Sequence, residues 1–186
     1  MQVTVSLLAV IAGLSTALPE GVVIPAGSIL NGPAWVDQTY GSGLGAGGNV
    51  CGDTRDVVNR ADEDAAPLAP DCMEVLNKVK DEPKLVFHAE RDEWDEKTQA
   101  VGFYPLITVG TCSFTIRPTE WDPARYNYFV GYQDVADILH DLINKFQIKK
   151  GDNYRFGASG IMPCTDRIKQ QRDYTLEFKV WNPTKG

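Results

Sequence analysis

The residues best suited to chemistry in this chain are its four cysteines. They are Cys51, Cys72, Cys112 and Cys164, and no two of them have the Cys-x-x-Cys spacing of zinc sites and thioredoxin-like redox centres. An even set of cysteines without that spacing is typical of disulfide bonds in an exported protein. The sequence therefore predicts two disulfide bonds, for which four cysteines permit three pairings.

The two histidines give little support for catalysis. His140 stands between Leu139 and Asp141, off the apolar stripe of a helical pattern, and His88 ends a strand-like run beside Glu90. Both are expected to be solvated or to lie in a turn. The chain contains neither Gly-x-Ser-x-Gly nor His-Glu-x-x-His, and its spacing places no carboxylate pair for glycoside hydrolysis. We therefore predict that the protein is not an enzyme and has no catalytic residues, no metal site and no cofactor.

One acidic cluster could in principle bind a cation. It surrounds Trp94 and consists of Glu90, Asp92, Glu93, Asp95 and Glu96. The cluster lacks the spacing and the central glycine of an EF-hand calcium loop. We predict a solvated loop or hairpin here.

An aromatic segment follows the third cysteine. Its members are Trp121, Tyr126, Tyr128, Phe129 and Tyr132. Two interpretations remain open: the side chains pack against the end of a sheet, or they form an exposed surface that contacts a target. Tyr and Trp suit the second interpretation, because they provide large, rigid, amphipathic anchors at interfaces.

The N-terminus has the pattern of an export signal. An apolar run over residues 3–14 is too short to span a bilayer, and the small residues Ser15, Thr16 and Ala17 follow it. We predict a signal peptide over residues 1–17, a flexible leader rich in glycine and proline over 18–49, and one disulfide-linked domain over 50–186.

Composition narrows the class of partner. The chain has 186 residues, a formal net charge of -7, 43% apolar and 23% charged residues, which fits one globular domain. Negative charge disfavours binding to phosphate backbones, so no nucleic-acid partner is expected. No later segment is apolar enough to be an integral membrane segment. The oligomeric state is left open.

Two helices are predicted from apolar periodicity. The first follows Pro70, with Cys72, Val75, Leu76 and Val79 on one face. The second has Asp134 as its predicted N-cap and a longer apolar stripe. That stripe consists of Val135, Ile138, Leu139, Leu142, Ile143 and Phe146.

Strand-like alternation surrounds the second helix. It is clearest over 111–117, 154–164 and 174–180, and two further apolar runs occupy 85–87 and 104–109. Together with the helices, these runs predict an α+β fold. The expected architecture is a small two-layer sandwich, in which two helices pack on one face of an antiparallel sheet.

This architecture favours one disulfide pairing. Cys112 and Cys164 fall on the apolar faces of two strands, so a bond between them would join the strand before the second helix to a strand after it. Cys51 would then pair with Cys72. The main rival pairs Cys72 of the first helix with Cys112.

The chain from Cys51 onwards resembles the necrosis-inducing factor domain of secreted fungal effectors. Five segments carry the resemblance: 51–54 with Asn59, 70–72, 110–114, 130–138, and 157–164. Their order and spacing are more specific than any one segment. The long leader, the insertion over 90–97 and the tail after Cys164 depart from the usual pattern.

The resemblance implies a secreted virulence factor of a plant pathogen. Such a protein would act outside the cell by binding a host protein or cell-surface target and would trigger plant cell death in some hosts. The family also looks related to fungal killer toxins, which implies an alternative: a toxin-like antimicrobial protein that acts on competing microbes. A secreted hydrolase is the third possibility, and the histidines do not support it.

Overall fold

The computed structural model describes residues 48–90, 102–120, 122, 127–165 and 173–185. The elements in these residues follow one another in the order β1 (Arg55–Asn59), α1 (Ala69–Lys80), β2 (Val86–Glu90), β3 (Tyr104–Val109), β4 (Cys112–Pro118), β5 (Asn127–Gly131), α2 (Tyr132–Phe146), β6 (Ile148–Lys150), β7 (Asn153–Arg155), β8 (Ala158–Cys164) and β9 (Tyr174–Trp181). No helix in this part of the chain is long and apolar enough to cross a membrane.

The main sheet has five antiparallel strands in the order β1-β8-β9-β4-β3. Strands β2 and β5 form a separate antiparallel pair, and β6 and β7 form a short hairpin after α2. The sheet therefore brings the N-terminal strand β1 to one edge, beside β8.

The core lies between the helices and one face of this sheet. Phe114 of β4 and Phe178 of β9 are both fully buried and stack with their ring centroids 5.7 Å apart. Met162 of β8 is opposite Leu176 of β9 and is also fully buried. The period-2 alternation that predicted these strands places their larger apolar side chains in this core.

The two helices pack on one another and on the sheet. In α1, Pro70 lies in the first turn and Cys72, Val75 and Val79 are fully buried. In α2 the predicted stripe is confirmed from Val135 to Ile143, with Phe146 packed against the core from a partly buried position. The predicted α+β class, with helices and antiparallel sheet, is confirmed.

The structure adds strands that periodicity did not indicate. The predicted run over 154–164 divides into β7 and β8 because the segment after β1 binds the backbone between them: Arg60 N–H donates to Gly157 O at 2.8 Å, and Phe156 N–H donates to Pro67 O at 3.1 Å. Strands β1, β5 and β6 were not predicted. The first is exposed at almost every position, so it shows no alternation.

The favoured disulfide pairing is wrong. Cys51 is bonded to Cys164 and Cys72 to Cys112, so no cysteine is free. Cys51 forms an isolated β-bridge with Cys164. Helix α1 packs on β4 with Cys72 and Cys112 both fully buried, which is the rival bond that the sequence had left open. Tertiary neighbours decide the pairing, and order along the chain does not.

Candidate functional site

The candidate site is a groove between the N-terminal segment 49–57 and one flank of α2. Its volume is about 490 Å³. The helical wall is contributed by residues spaced three or four apart, which places them on one side of the helix. They are Asp134, Asp137, Ile138, Asp141, Leu142 and Lys145. The groove thus runs along most of α2 beside the edge strand β1, and we call it the acidic groove.

Charge and apolar surface are separated within the acidic groove. Asp53 lies on one wall and the exposed Asp137 and Asp141 on the other. Between them are apolar residues, of which Ile138 and Leu142 are 8% and 7% exposed. Carboxylates beside an apolar floor suit a cationic ligand that also carries apolar groups.

Asp134 closes one end of the acidic groove and holds the N-terminal segment in place. Its Oδ2 atom accepts backbone hydrogen bonds from Val50 at 2.9 Å, Cys51 at 3.0 Å and Gly131 at 2.8 Å. The predicted N-cap assignment was wrong: α2 begins at Tyr132 with Gly131 as N-cap, so Asp134 is the third helical residue. From there its carboxyl reaches back to the first turn and to the neighbouring segment.

The segment 48–52, which we call the strap, crosses the N-terminus of α2 and is bonded on both sides. Gly48 N–H donates to Pro83 O and Gly52 N–H to Pro163 O, each at 2.7 Å. Val50 is buried against Val86 and Phe129. Gly48 and Asn49 therefore belong to the folded domain, whereas the sequence assigned them to the leader. The rest of the predicted leader and the signal peptide lie outside the described residues.

Burial controls the titration of Asp134. It raises the pKa of Asp134 to about 6, against the lowering effect of the three backbone hydrogen bonds, and the charge of Asp137 adds a smaller increase. An unfolded aspartate has a pKa of about 3.9. Because the folded state retains the proton to higher pH, the contribution of Asp134 to the free energy of unfolding falls as pH rises from about 4 to about 6.

A conservative substitution isolates this pH dependence. Asp134→Asn retains an acceptor oxygen but does not titrate. We expect the unfolding free energy of wild type, measured relative to that variant by urea denaturation, to fall by about 2 kcal/mol between pH 4 and pH 7. A constant difference across this range would contradict the assignment.

A glycine at the start of α2 permits the strap to approach. A Cβ atom on Gly131 would overlap the backbone oxygen of Gly48 and would lie 2.9 Å from Asp134 Oδ2. We expect Gly131→Ala to lower the unfolding free energy by about 2 kcal/mol, since the strap must move. Gly52→Ala is the matched control, because its Cβ would meet Pro163 only at 3.7 Å. Equal thermal stability of the two variants would refute this role for Gly131.

The two histidines lie in different environments: His88 lies within strand β2, and His140 lies on the exposed side of α2. His88 stacks on Phe129 at 4.8 Å between ring centroids, and its Nε2 atom lies 2.6 Å from Asn127 Oδ1. His140 is exposed and contacts the carboxylate of Asp141 at 3.1 Å. In the described part of the chain, no three His, Cys, Asp or Glu side chains are grouped to hold a metal ion. Of the acidic cluster around Trp94, only Glu90 is described, at the end of β2.

Two of the five members of the aromatic segment are buried, which favours the packing interpretation at those positions. Tyr128 and Phe129 lie in β5 and are 1% and 0% exposed, because that strand is buried on both faces. Tyr132 is partly buried and packs on Phe87 with ring centroids 4.3 Å apart. Burial, with a smaller contribution from Glu82, raises the pKa of Tyr132 to about 12.

The two remaining aromatic residues, Trp121 and Tyr126, lie outside the described residues. Packing, the first of the two interpretations, therefore holds for Tyr128 and Phe129. The sequence had left this packing as one of two interpretations and had not indicated the strand, because the residues of the strand are apolar or aromatic without a period of two.

Sequence reasoning missed the acidic groove, although part of its pattern was present. Asp134, Asp137 and Asp141 follow the spacing i, i+3, i+7, which places three carboxyls on one flank of α2. The opposite wall, with Asp53, could not be found in this way, because it depends on the strap that passes beside the helix.

A protein-family model matches most of the described domain. The Hce2 family model, described as "Pathogen effector; putative necrosis-inducing factor", matches residues 50–164, which include both disulfide bonds, both helices and the acidic groove except Asn49. Comparison with curated proteins finds no match. Since the family model covers more than half of the chain, the protein belongs to the Hce2 family of pathogen effectors.

Proposed function

We propose that this effector is secreted and acts outside the cell that makes it, by binding a host target and triggering plant cell death. The observation that carries the proposal is the acidic groove of the matched domain, in which exposed carboxylates lie beside an apolar floor. A cavity of several hundred Å³ with both kinds of surface is typical of a binding site.

Binding explains the arrangement of the groove better than catalysis. The one carboxyl with a strongly raised pKa, among the described residues, is that of Asp134, and a single oxygen of this group accepts all three backbone hydrogen bonds. The carboxyl of Asp134 therefore stabilises the fold by holding the strap at the start of α2. The exposed carboxylates Asp137 and Asp141 remain available to a partner's cations.

The disulfide bonds support action outside the cell. All four cysteines are paired, and the two bonds attach the strap to β8 and α1 to β4. Such bonds persist in oxidising compartments. We therefore propose export through the signal peptide predicted over residues 1–17, with the oxidised form as the active one.

The test begins with the full chain expressed in a secreting yeast. The expected product in the medium begins at Leu18 and contains no free thiols. This material is infiltrated into leaves of several plant species beside a reduced and alkylated sample, and both are also added to fungal and bacterial cultures. Cell death in leaves from the oxidised form alone supports the proposal. Growth inhibition of microbes without any leaf response would replace it with the antimicrobial alternative.

A further inference from the structure

We propose that the acidic groove takes an extended, lysine- or arginine-containing segment of the target protein, which pairs with the free edge of β1. This inference rests on the proposed function and names the chemistry of its partner. Three features of the described residues carry it: an unpaired strand edge, an apolar floor beside that edge, and acidic side chains along the rim.

The strand edge provides the backbone recognition. In the described part of the sheet, β1 pairs with β8 on one side and has no strand on the other. An edge strand presents unpaired N–H and C=O groups to which an extended peptide can add. Val57 lines the acidic groove from this strand, so the edge and the groove are continuous.

The groove provides the side-chain recognition. Successive residues of an added strand point to opposite sides, so alternate side chains would face α2. There they would meet the floor around Ile138 and Leu142 and the carboxylates of Asp137 and Asp141. Lys145, at the far end of the groove, is the one cation among the residues that line it. Basic side chains with long apolar stems fit both kinds of surface.

The charge of the acidic groove and the backbone geometry of β1 favour a segment of a partner protein over a second copy of this chain. A second copy of this chain has a net charge of -7 and would be repelled by the acidic rim. Strand β1 is also bulged between Arg55 and Val58, with Asp56 at φ 53°. Bulges of this kind disfavour the joining of two sheet edges. A single flexible segment of a partner can follow the bulge, and its basic residues complement the groove.

The probe is a synthetic peptide of alternating lysine and valine, about seven residues long, which covers a five-residue strand of about 17 Å. One control peptide replaces lysine with glutamate. A second control carries N-methyl groups on alternate residues, which retains the charge but removes the donors of one edge. Binding to the oxidised full chain is measured by fluorescence anisotropy, and the contacted amides are identified by NMR.

Two protein variants of equal charge are compared. The groove variant is D53N/D137N/D141N, and the control variant D64N/D81N/D152N removes three exposed carboxylates outside the groove. We expect the groove variant to bind the lysine peptide about tenfold more weakly or worse, and the control variant to bind within about twofold of wild type. The N-methylated peptide should bind the wild-type protein about tenfold more weakly than the unmodified lysine peptide. On binding of the unmodified peptide, NMR shifts should occur at the amides of Val57, Val58 and Asn59.

Other results overturn the inference. The first is that the lysine peptide fails to bind at about 1 mM. The second is that it binds the groove variant and the control variant with equal affinity. The third is that the wild type forms a concentration-dependent dimer that the groove variant does not form. Leaf assays distinguish the failure of this peptide-binding inference from the failure of the proposed cell-death function. If the groove variant still loses cell death while the peptides fail, the groove contacts a target of different chemistry.

Discussion

Replacement of both Cys51 and Cys164 by serine is expected to lower the free energy of unfolding by about 5 kcal/mol. The bond closes a loop with a sequence separation of 113, the longer of the two disulfide loops. In the chain-entropy model the loss grows with the logarithm of loop length, so C72S/C112S, with a separation of 40, should lose about 4 kcal/mol. Urea denaturation of both double variants measures the difference.

The location of each bond gives a second, more specific expectation. Loss of Cys51–Cys164 frees the strap, whereas loss of Cys72–Cys112 loosens α1 on β4. Amide hydrogen exchange should therefore accelerate first at the strap in C51S/C164S and in α1 in C72S/C112S. Mass mapping that recovered a Cys51–Cys72 peptide pair from the oxidised wild-type protein would contradict the structure itself.

Asp134→Ala is expected to lower the unfolding free energy by about 3 kcal/mol or more at pH 7. The substitution leaves the buried N–H groups of Val50 and Gly131 and the part-buried N–H of Cys51 without their shared acceptor, and each unsatisfied donor removed from water costs about 1 kcal/mol or more. Thermal denaturation monitored by circular dichroism measures the loss.

A matched control lies one turn along the same helix. Asp137 is exposed, and its carboxylate accepts a hydrogen bond from the Gln133 side chain at 2.6 Å. Asp137→Ala should therefore change stability by about 0.5 kcal/mol or less. If the two alanine variants were equally stable, Asp134 would not be the anchor of the strap.

Local periodicity predicted the elements whose apolar residues recur at a regular spacing along the chain. The stripe of α2, from Val135 to Ile143, and the alternation around Phe114 and Phe178 depend only on neighbours along the chain. These elements could be assigned because a helix has a period of 3.6 residues and a strand a period of two.

Strands β5 and β1 have no such regular spacing of apolar residues. Strand β5 is buried at all five positions, and β1 is exposed at four of its five. Neither segment was therefore predicted to be a strand. The bond between Cys51 and Cys164 was not predicted for a related reason, since it depends on where the strap lies beside β8.

The candidate site could likewise be predicted only where it depends on residues that are close together in the chain. Asp137 and Asp141 could be placed on one flank of α2 from their spacing, but nothing local indicated that Asp53 would lie across from them. Asp134 was recognised as a residue of the helix start, and its bonds to Val50 and Cys51 required the tertiary structure.

Contact between the acidic groove and the target can be measured in a plant in which the oxidised wild-type protein causes cell death. The groove variant D53N/D137N/D141N and the control variant D64N/D81N/D152N are infiltrated at equal concentration after circular dichroism has shown that both are folded. We predict that the groove variant loses cell death and that the control variant retains it. Full activity of the folded groove variant would show that the acidic groove does not contact the target.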